Sequence, residues 1–144
     1  MKRTPKTLVL IVEDGSLGYF ENILLGDYTI CSYQDEGSTS GDIMRTVTVN
    51  GKPCKILKVT EVHDDLVHHI QDNRSKIASY KGACKSYEEK NDPRDAWIIH
   101  SLEYKIDELE KTTDFYLKAK ESLKKRALGF ALVDKTFSQE VNRL

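Results

Sequence analysis

Apolar positions in two long stretches of the chain recur at alternating spacings of four and three. The first series is Leu66, Ile70, Asn73, Ile77, Tyr80, Cys84 and Tyr87. The second is Ile99, Leu102, Ile106, Leu109, Thr113, Tyr116, Lys120 and Leu123. This spacing puts one narrow stripe on one side of a helix, as in a coiled-coil seam. Between the two series lies Lys90-Asn91-Asp92-Pro93, which combines a helix stop with a helix start. The pattern predicts an antiparallel helical hairpin. Facing positions of such a hairpin keep a constant sum of residue numbers, and the two series obey this. Leu66 faces Tyr116, Asn73 faces Leu109 and Tyr80 faces Leu102. The second set pairs Ile70 with Thr113, Ile77 with Ile106 and Cys84 with Ile99. Charge fits the same register. Arg74, Lys76, Lys81 and Lys85 oppose Glu103, Asp107, Glu108 and Glu110. Glu61, Asp64 and Asp65 oppose Lys118, Lys120, Lys124 and Lys125. Asp92 suits a helix N-cap and Pro93 the first turn, while Lys124, Lys125 and Arg126 suit a helix C-terminus. Asn73 is a polar seam residue of the kind that fixes register at some expense of stability.

Residues 1–61 read differently. Residues 7–13 (TLVLIVE) form a β-branched apolar run, expected as a central strand. Residues 17–25 fit either a strand or a short helix. Residues 27–34 alternate as a strand, and 35–42 (DEGSTSGD) read as a polar loop. Residues 43–49 and 53–60 are strands joined at Asn50-Gly51, a turn in which both central residues take positive φ. After Gly129, the apolar run 130–133 reads as a short strand returning to the sheet, and 136–144 as a terminal helix. The fold expected is α+β: a small N-terminal antiparallel sheet over 1–61, a coiled-coil-like helical hairpin over 62–128 and a tail over 129–144 packing on the sheet, in one domain. A seven-residue strand spans only ~23 Å, whereas helices of this length reach about 45 to 50 Å. Part of the hairpin therefore lies beyond the cover of the sheet. Trp97, Ile98, Tyr104, Phe115 and Leu117 fall off the seam, and apolar area of that kind marks a partner surface. We expect these residues to form an oligomer interface.

Composition narrows the functional classes. Of 144 residues, 39% are hydrophobic and 31% charged, enough for a modest core under a well-solvated surface. The formal net charge of −1 gives no basic field for nucleic acid. Cys31, Cys54 and Cys84 are widely spaced and sit in apolar patterns, which reads as reduced thiols in a cytoplasmic protein. Behind Lys2 and Arg3, the apolar run 8–12 is too short for a signal peptide or a membrane span.

Three constellations bear on chemistry. In the segment 63–69, helical spacing sets Asp64 beside His68 and Asp65 beside His69, two candidate metal-ligating pairs. The HExxH pattern is absent, because the residue four after His63 is Val67. The loop Gly37-Ser38-Thr39-Ser40-Gly41 offers amides and hydroxyls suited to a phosphate, but lacks the lysine and following helix of a P-loop. Residues 118–126 (KAKESLKKR) are basic, and read as a helix end neutralised by the acidic start of the first helix. The cations left over are Arg45, Lys52 and Arg94, joined by Arg74 if it turns outward, and oligomerisation is expected to bring Arg94 of one chain beside the 37–41 loop of another. With Trp97 or Tyr87 to stack on a ring, and Ser38 and Thr39 to meet a phosphate, Arg45 and Arg94 form the candidate ligand site. Leu10-Ile11-Val12-Glu13-Asp14 resembles the opening strand of a response-regulator receiver, but the later elements of that family do not follow. No nucleophile arrangement is present.

The sequence therefore points to a non-enzymatic, cofactor-free binding protein. It assembles as a dimer or higher symmetric oligomer and blocks a macromolecular partner. A second reading is a sponge for a small phosphorylated ligand held between subunits. The order of elements, strands first and then two long helices, is similar to phage anti-Thoeris proteins, and that resemblance implies a nucleotide-type signalling ligand. A third reading is a metal-dependent hydrolase using the 63–69 cluster.

Overall fold

The computed structural model describes residues 6–13, 19–34 and 44–144. Its elements are β1 (Lys6–Glu13), α1 (Tyr19–Leu25), β2 (Tyr28–Gln34), β3 (Met44–Val49), β4 (Lys52–Lys58), α2 (Val59–Lys90), α3 (Ala96–Val133) and α4 (Ser138–Asn142). This is the α+β arrangement of a small antiparallel sheet and a long helical hairpin. The chain divides into two compact units, Met1–Asp65 with Lys118–Leu144, and Leu66–Leu117.

In the first unit the four strands pair antiparallel in the order β2-β1-β4-β3. The apolar run of β1 takes a central place, as its β-branched composition predicts. Leu8, Val9, Leu10 and Val12 are all buried. Leu10 pairs with Ile30 of β2 on one side and Leu57 of β4 on the other, which builds one apolar row across the sheet. Asn50 and Gly51 make the β3–β4 turn with φ of 51° and 79°, as expected for this pair. Within the ambiguous stretch 17–25, the described residues 19–25 form the helix α1. It ends at Gly26, whose φ of 82° lets the Gly26 and Asp27 amides donate to the Ile23 and Asn22 carbonyls. Ile23 is fully buried, together with Val59, Leu123, Ala127 and Val141.

The largest departure from expectation is at the end of α3. Residues 130–133 do not form a strand, because the helix runs through Gly129 to Val133. A mid-helix glycine costs about 1 kcal/mol relative to alanine. Burial of Ala127 and Ala131 on one helix face outweighs that cost. Asp134 then stops the helix. Its amide donates to the Phe130 carbonyl at 2.9 Å, and its carboxylate accepts from the Thr136 amide and hydroxyl. Those bonds hold the Asp134 carboxyl below its ordinary value. A 3₁₀ turn, Lys135–Phe137, leads into α4, with Phe137 packed 5.8 Å from the Phe130 ring.

The second unit is the far part of the hairpin. Every seam position read from the sequence within it is buried or half-buried. Side-chain contacts cross between the two helices. The His69 ring stacks on Tyr116 at 5.1 Å, Lys105 lies 5.8 Å over the Tyr80 ring, and Lys81 pairs with Glu110 at 3.5 Å. The polar seam residues are handled in two ways. Thr113 donates to the Leu109 carbonyl of its own helix at 2.7 Å. The Asn73 Nδ2 is buried without a hydrogen-bond partner, as expected of a residue that specifies register at a stability penalty. At the tip, Asn91 adopts φ 49° to end α2, and Asp92 caps the 3₁₀ turn Pro93–Asp95 by accepting from the Arg94 amide. Cysteines placed at Ile70 and Thr113, with Cys31, Cys54 and Cys84 replaced, should cross-link within one chain. A non-reducing gel showing only chain-to-chain linkage would mean that the helices swap between subunits.

Candidate functional site

The ligand-site residues read from the sequence fall only in part among the described residues. Ser38 and Thr39 lie outside the described residues, and so does the Arg45 side chain. The Arg45 backbone pairs with Ile56 in the sheet. Arg94 is not a free cation. Its Nε and Nη2 donate to the Asp92 carboxylate at 3.2 and 2.9 Å. This fork lowers the Asp92 carboxyl and raises the Arg94 guanidinium from their ordinary values. Tyr87 is half-buried, with the Lys90 ammonium 5.2 Å from its ring centre. The tip thus neutralises its own charge.

The residues of the expected metal-ligating pairs all lie on α2. Asp64 and His68 are exposed, and His69 is engaged with Tyr116. Asp65 is half-buried. Among the described residues, no three His, Cys, Asp or Glu side chains are placed to hold a metal ion. His63 instead turns inward. It is only 6% exposed, and neither ring nitrogen has a hydrogen-bond partner. Burial, and then the nearby Lys120 and Lys124 ammonium groups, push its pKa down against the opposing pull of Asp64.

Two features remain. One is a line of aromatics on α3 within the hairpin unit. Trp97 is 72% exposed and Tyr104 is 65% exposed. Phe115 is half-buried, edge-on to Tyr116 at 5.5 Å. At ~100° per residue, Trp97, Tyr104 and Phe115 project within about 20° of one line along the helix. Ile98 and Leu117, expected in the same interface, project elsewhere and are half-buried. Between Tyr104 and Phe115 the line carries Lys111, which is paired with Asp107 at 3.1 Å and Glu108 at 3.7 Å.

The second feature was hidden in the basic run 118–126, within the sheet-bearing unit. The helical twist divides that run between two flanks. The charges of Lys120 and Lys124 act on His63. Lys118, Ser122, Lys125 and Arg126 line an open groove of about 490 Å³ with Glu121. Arg126 is held in place there. Its Nη1 donates to the Tyr28 carbonyl at 2.8 Å, and its guanidinium lies 4.3 Å over the Tyr28 ring. The Tyr28 hydroxyl and Ser122 Oγ are 3.2 Å apart. Burial raises the Tyr28 pKa despite that bond and the Arg126 charge. Gly26 leaves room for the arrangement, since a Cβ there would come within 2.9 Å of the Arg126 Nη2. The sequence signal for this groove is the i, i+4, i+7, i+8 spacing of 118, 122, 125 and 126.

Among the described residues, no helix is long and apolar enough to cross a membrane. Compared with protein-family models, curated proteins and solved structures, the chain matches none.

Proposed function

We propose that this is a non-enzymatic binding protein that self-associates and blocks a macromolecular partner through its helical hairpin. The observation that carries the reading is the aromatic line of α3, with Trp97 and Tyr104 largely exposed on a helix whose seam is already satisfied. Trp and Tyr are the residues that contribute most when an interface closes over them. Charges along the line are paired with each other, so covering them strands no lone ion. Light scattering at tens of micromolar should give at least twice the 16.5 kDa chain mass. Trp97→Glu with Tyr104→Glu should reduce that mass while leaving the helical circular dichroism intact. A wild-type monomer at that concentration rejects self-association. Native mass spectrometry of protein taken from cells tests the second half of the proposal, where a bound macromolecule is the expected result.

A further inference from the structure

We infer that the exposed face of α3 pairs with the same face of a second copy of this chain, antiparallel, about a twofold axis beside Tyr104. The inference rests on the self-association proposed above and gives it a partner face and a direction. All the residues involved belong to the hairpin unit.

Helical phase builds the face. With Tyr104 as zero at ~100° per residue, Trp97 lies about 20° to one side and Lys111 about 20° to the other. His100 and Asp107 lie about 40° and 60° round on one flank, and Glu108 and Ser101 lie about 40° and 60° round on the opposite flank. All of these side chains are exposed. The seam residues Ile99, Leu102, Ile106 and Leu109 lie roughly 140° to 160° away, so α3 has room for α2 on one side and a second helix on the other.

The two ends of the face differ in charge. Trp97, His100 and Ser101 make an end without a carboxylate. At the other end the Lys111 ammonium sits between Asp107 and Glu108, at 3.1 and 3.7 Å. Parallel pairing would set the two acidic ends against each other, like charge on like. Antiparallel pairing sets each acidic end on the neutral end of the partner, which is the self-complementarity a twofold interface requires. Tyr104 then meets Tyr104 at the axis. Trp97 of one protomer covers the methylene stem of Lys111 of the other, and that lysine keeps both of its carboxylate partners. A twofold axis brings like flanks together, so His100 reaches Asp107 and Ser101 reaches Glu108. The Asp107 and Glu108 side chains are 60% and 51% exposed. Each carboxylate accepts several hydrogen bonds at once, so both have capacity for a further donor. Sliding the pair by one heptad, with Trp97 on Tyr104, would leave Lys111 opposite residue 90, before the start of α3 at Ala96. From Trp97 to Lys111 the overlap is about 21 Å long. That is a small interface, and the dimer should dissociate on dilution through the micromolar range.

The test is oxidative cross-linking of the full chain with one added cysteine, at tens of micromolar. His100→Cys and Asp107→Cys chains are oxidised separately and as an equal mixture. Wild type is the control for the native thiols, of which Cys54 and Cys84 are buried. Both added cysteines replace exposed residues, and circular dichroism checks that each chain keeps its helices. A dimer band from the mixture well above that from either chain alone is expected. Tyr104→Cys should cross-link without a second variant, because it meets its own copy at the axis. Trp97→Ala should raise the dissociation constant about tenfold or more in sedimentation. Equal cross-linking by each single variant alone would mean parallel helices and overturn the inference. A wild-type dimer in light scattering with no cross-link from the mixture would also overturn it, while self-association through another face would stand. A wild-type monomer overturns both, and a foreign macromolecule bound to that monomer would assign the face to it instead.

Discussion

Replacing Leu123 with aspartate should unfold the sheet-bearing unit, whereas the same change at Leu132, nine residues further along α3, should be nearly silent. Leu123 is fully buried and Leu132 is 81% exposed. An unpaired carboxylate has no partner in the first position and meets water in the second. Truncating a buried leucine to alanine already removes about 3 to 5 kcal/mol. Adding a charge exceeds that, against a total stability of about 5 to 15 kcal/mol for a typical domain. Surface changes such as Leu132→Asp usually stay within about 0.5 kcal/mol. Urea titration followed by circular dichroism compares the two variants. The contrast reports on the end of α3 in particular. If 130–133 were a strand in the sheet, Leu132 would not be free to accept a charge. Equal loss in both variants would therefore contradict the helix running through Gly129.

That region shows where the sequence misleads. Glycine is a helix stop signal, and the following Phe-Ala-Leu-Val run has strand character. Neither local cue carries information about what Ala127 and Ala131 pack against, and tertiary burial decided the outcome. The hairpin seam was legible for the opposite reason. Its heptad spacing, its tip chemistry and its cross-helix charge all require the same register, so local and long-range signals agree. The Asn50-Gly51 turn was legible because few residue pairs accept positive φ twice. The aromatic line was partly legible: Trp97, Tyr104 and Phe115 stand out as off-seam residues, and their common direction follows from helical phase, which sets Ile98 and Leu117 apart. Arg94 was misread as free, although an aspartate at the N-cap two residues before an arginine is well placed to pair with it. The groove was concealed by reading 118–126 as one charge block. A linear run has no flanks, and only the helix phase separates Lys120 and Lys124 from Lys118, Lys125 and Arg126. Arg126 acquires its fixed position from Tyr28, nearly a hundred residues earlier, and that pairing has no local sequence signal.

Acidification should selectively loosen the sheet-bearing unit, and His63 should be the group responsible. Its imidazole is buried on α2 with neither nitrogen hydrogen-bonded. On its own helix it meets Asp64, with Nδ1 3.9 Å from Oδ1 of a carboxylate that is mostly in water. From α3 it meets Lys120 and Lys124. Burial and these two cations disfavour the charged ring more than Asp64 favours it, so the folded-state pKa lies below the unfolded value near 6.5. The unfolded chain therefore holds the proton more tightly. Stability is full above about pH 6.5 and declines as the pH falls through that value toward the folded pKa. Glu140 has the opposite sign, because burial raises its carboxyl and protonation there favours the folded state. Comparison with His63→Leu separates the two. Wild type should lose stability in urea between about pH 7.5 and about pH 5, and His63→Leu should lose much less. Lys124→Gln should flatten the wild-type slope by removing one of the opposing cations. Asp64→Asn should steepen it by removing a carboxylate that stabilises the charged ring. Parallel pH profiles for wild type and His63→Leu would show that the imidazole reaches water when charged, and that the inward position of His63 does not control the acid response.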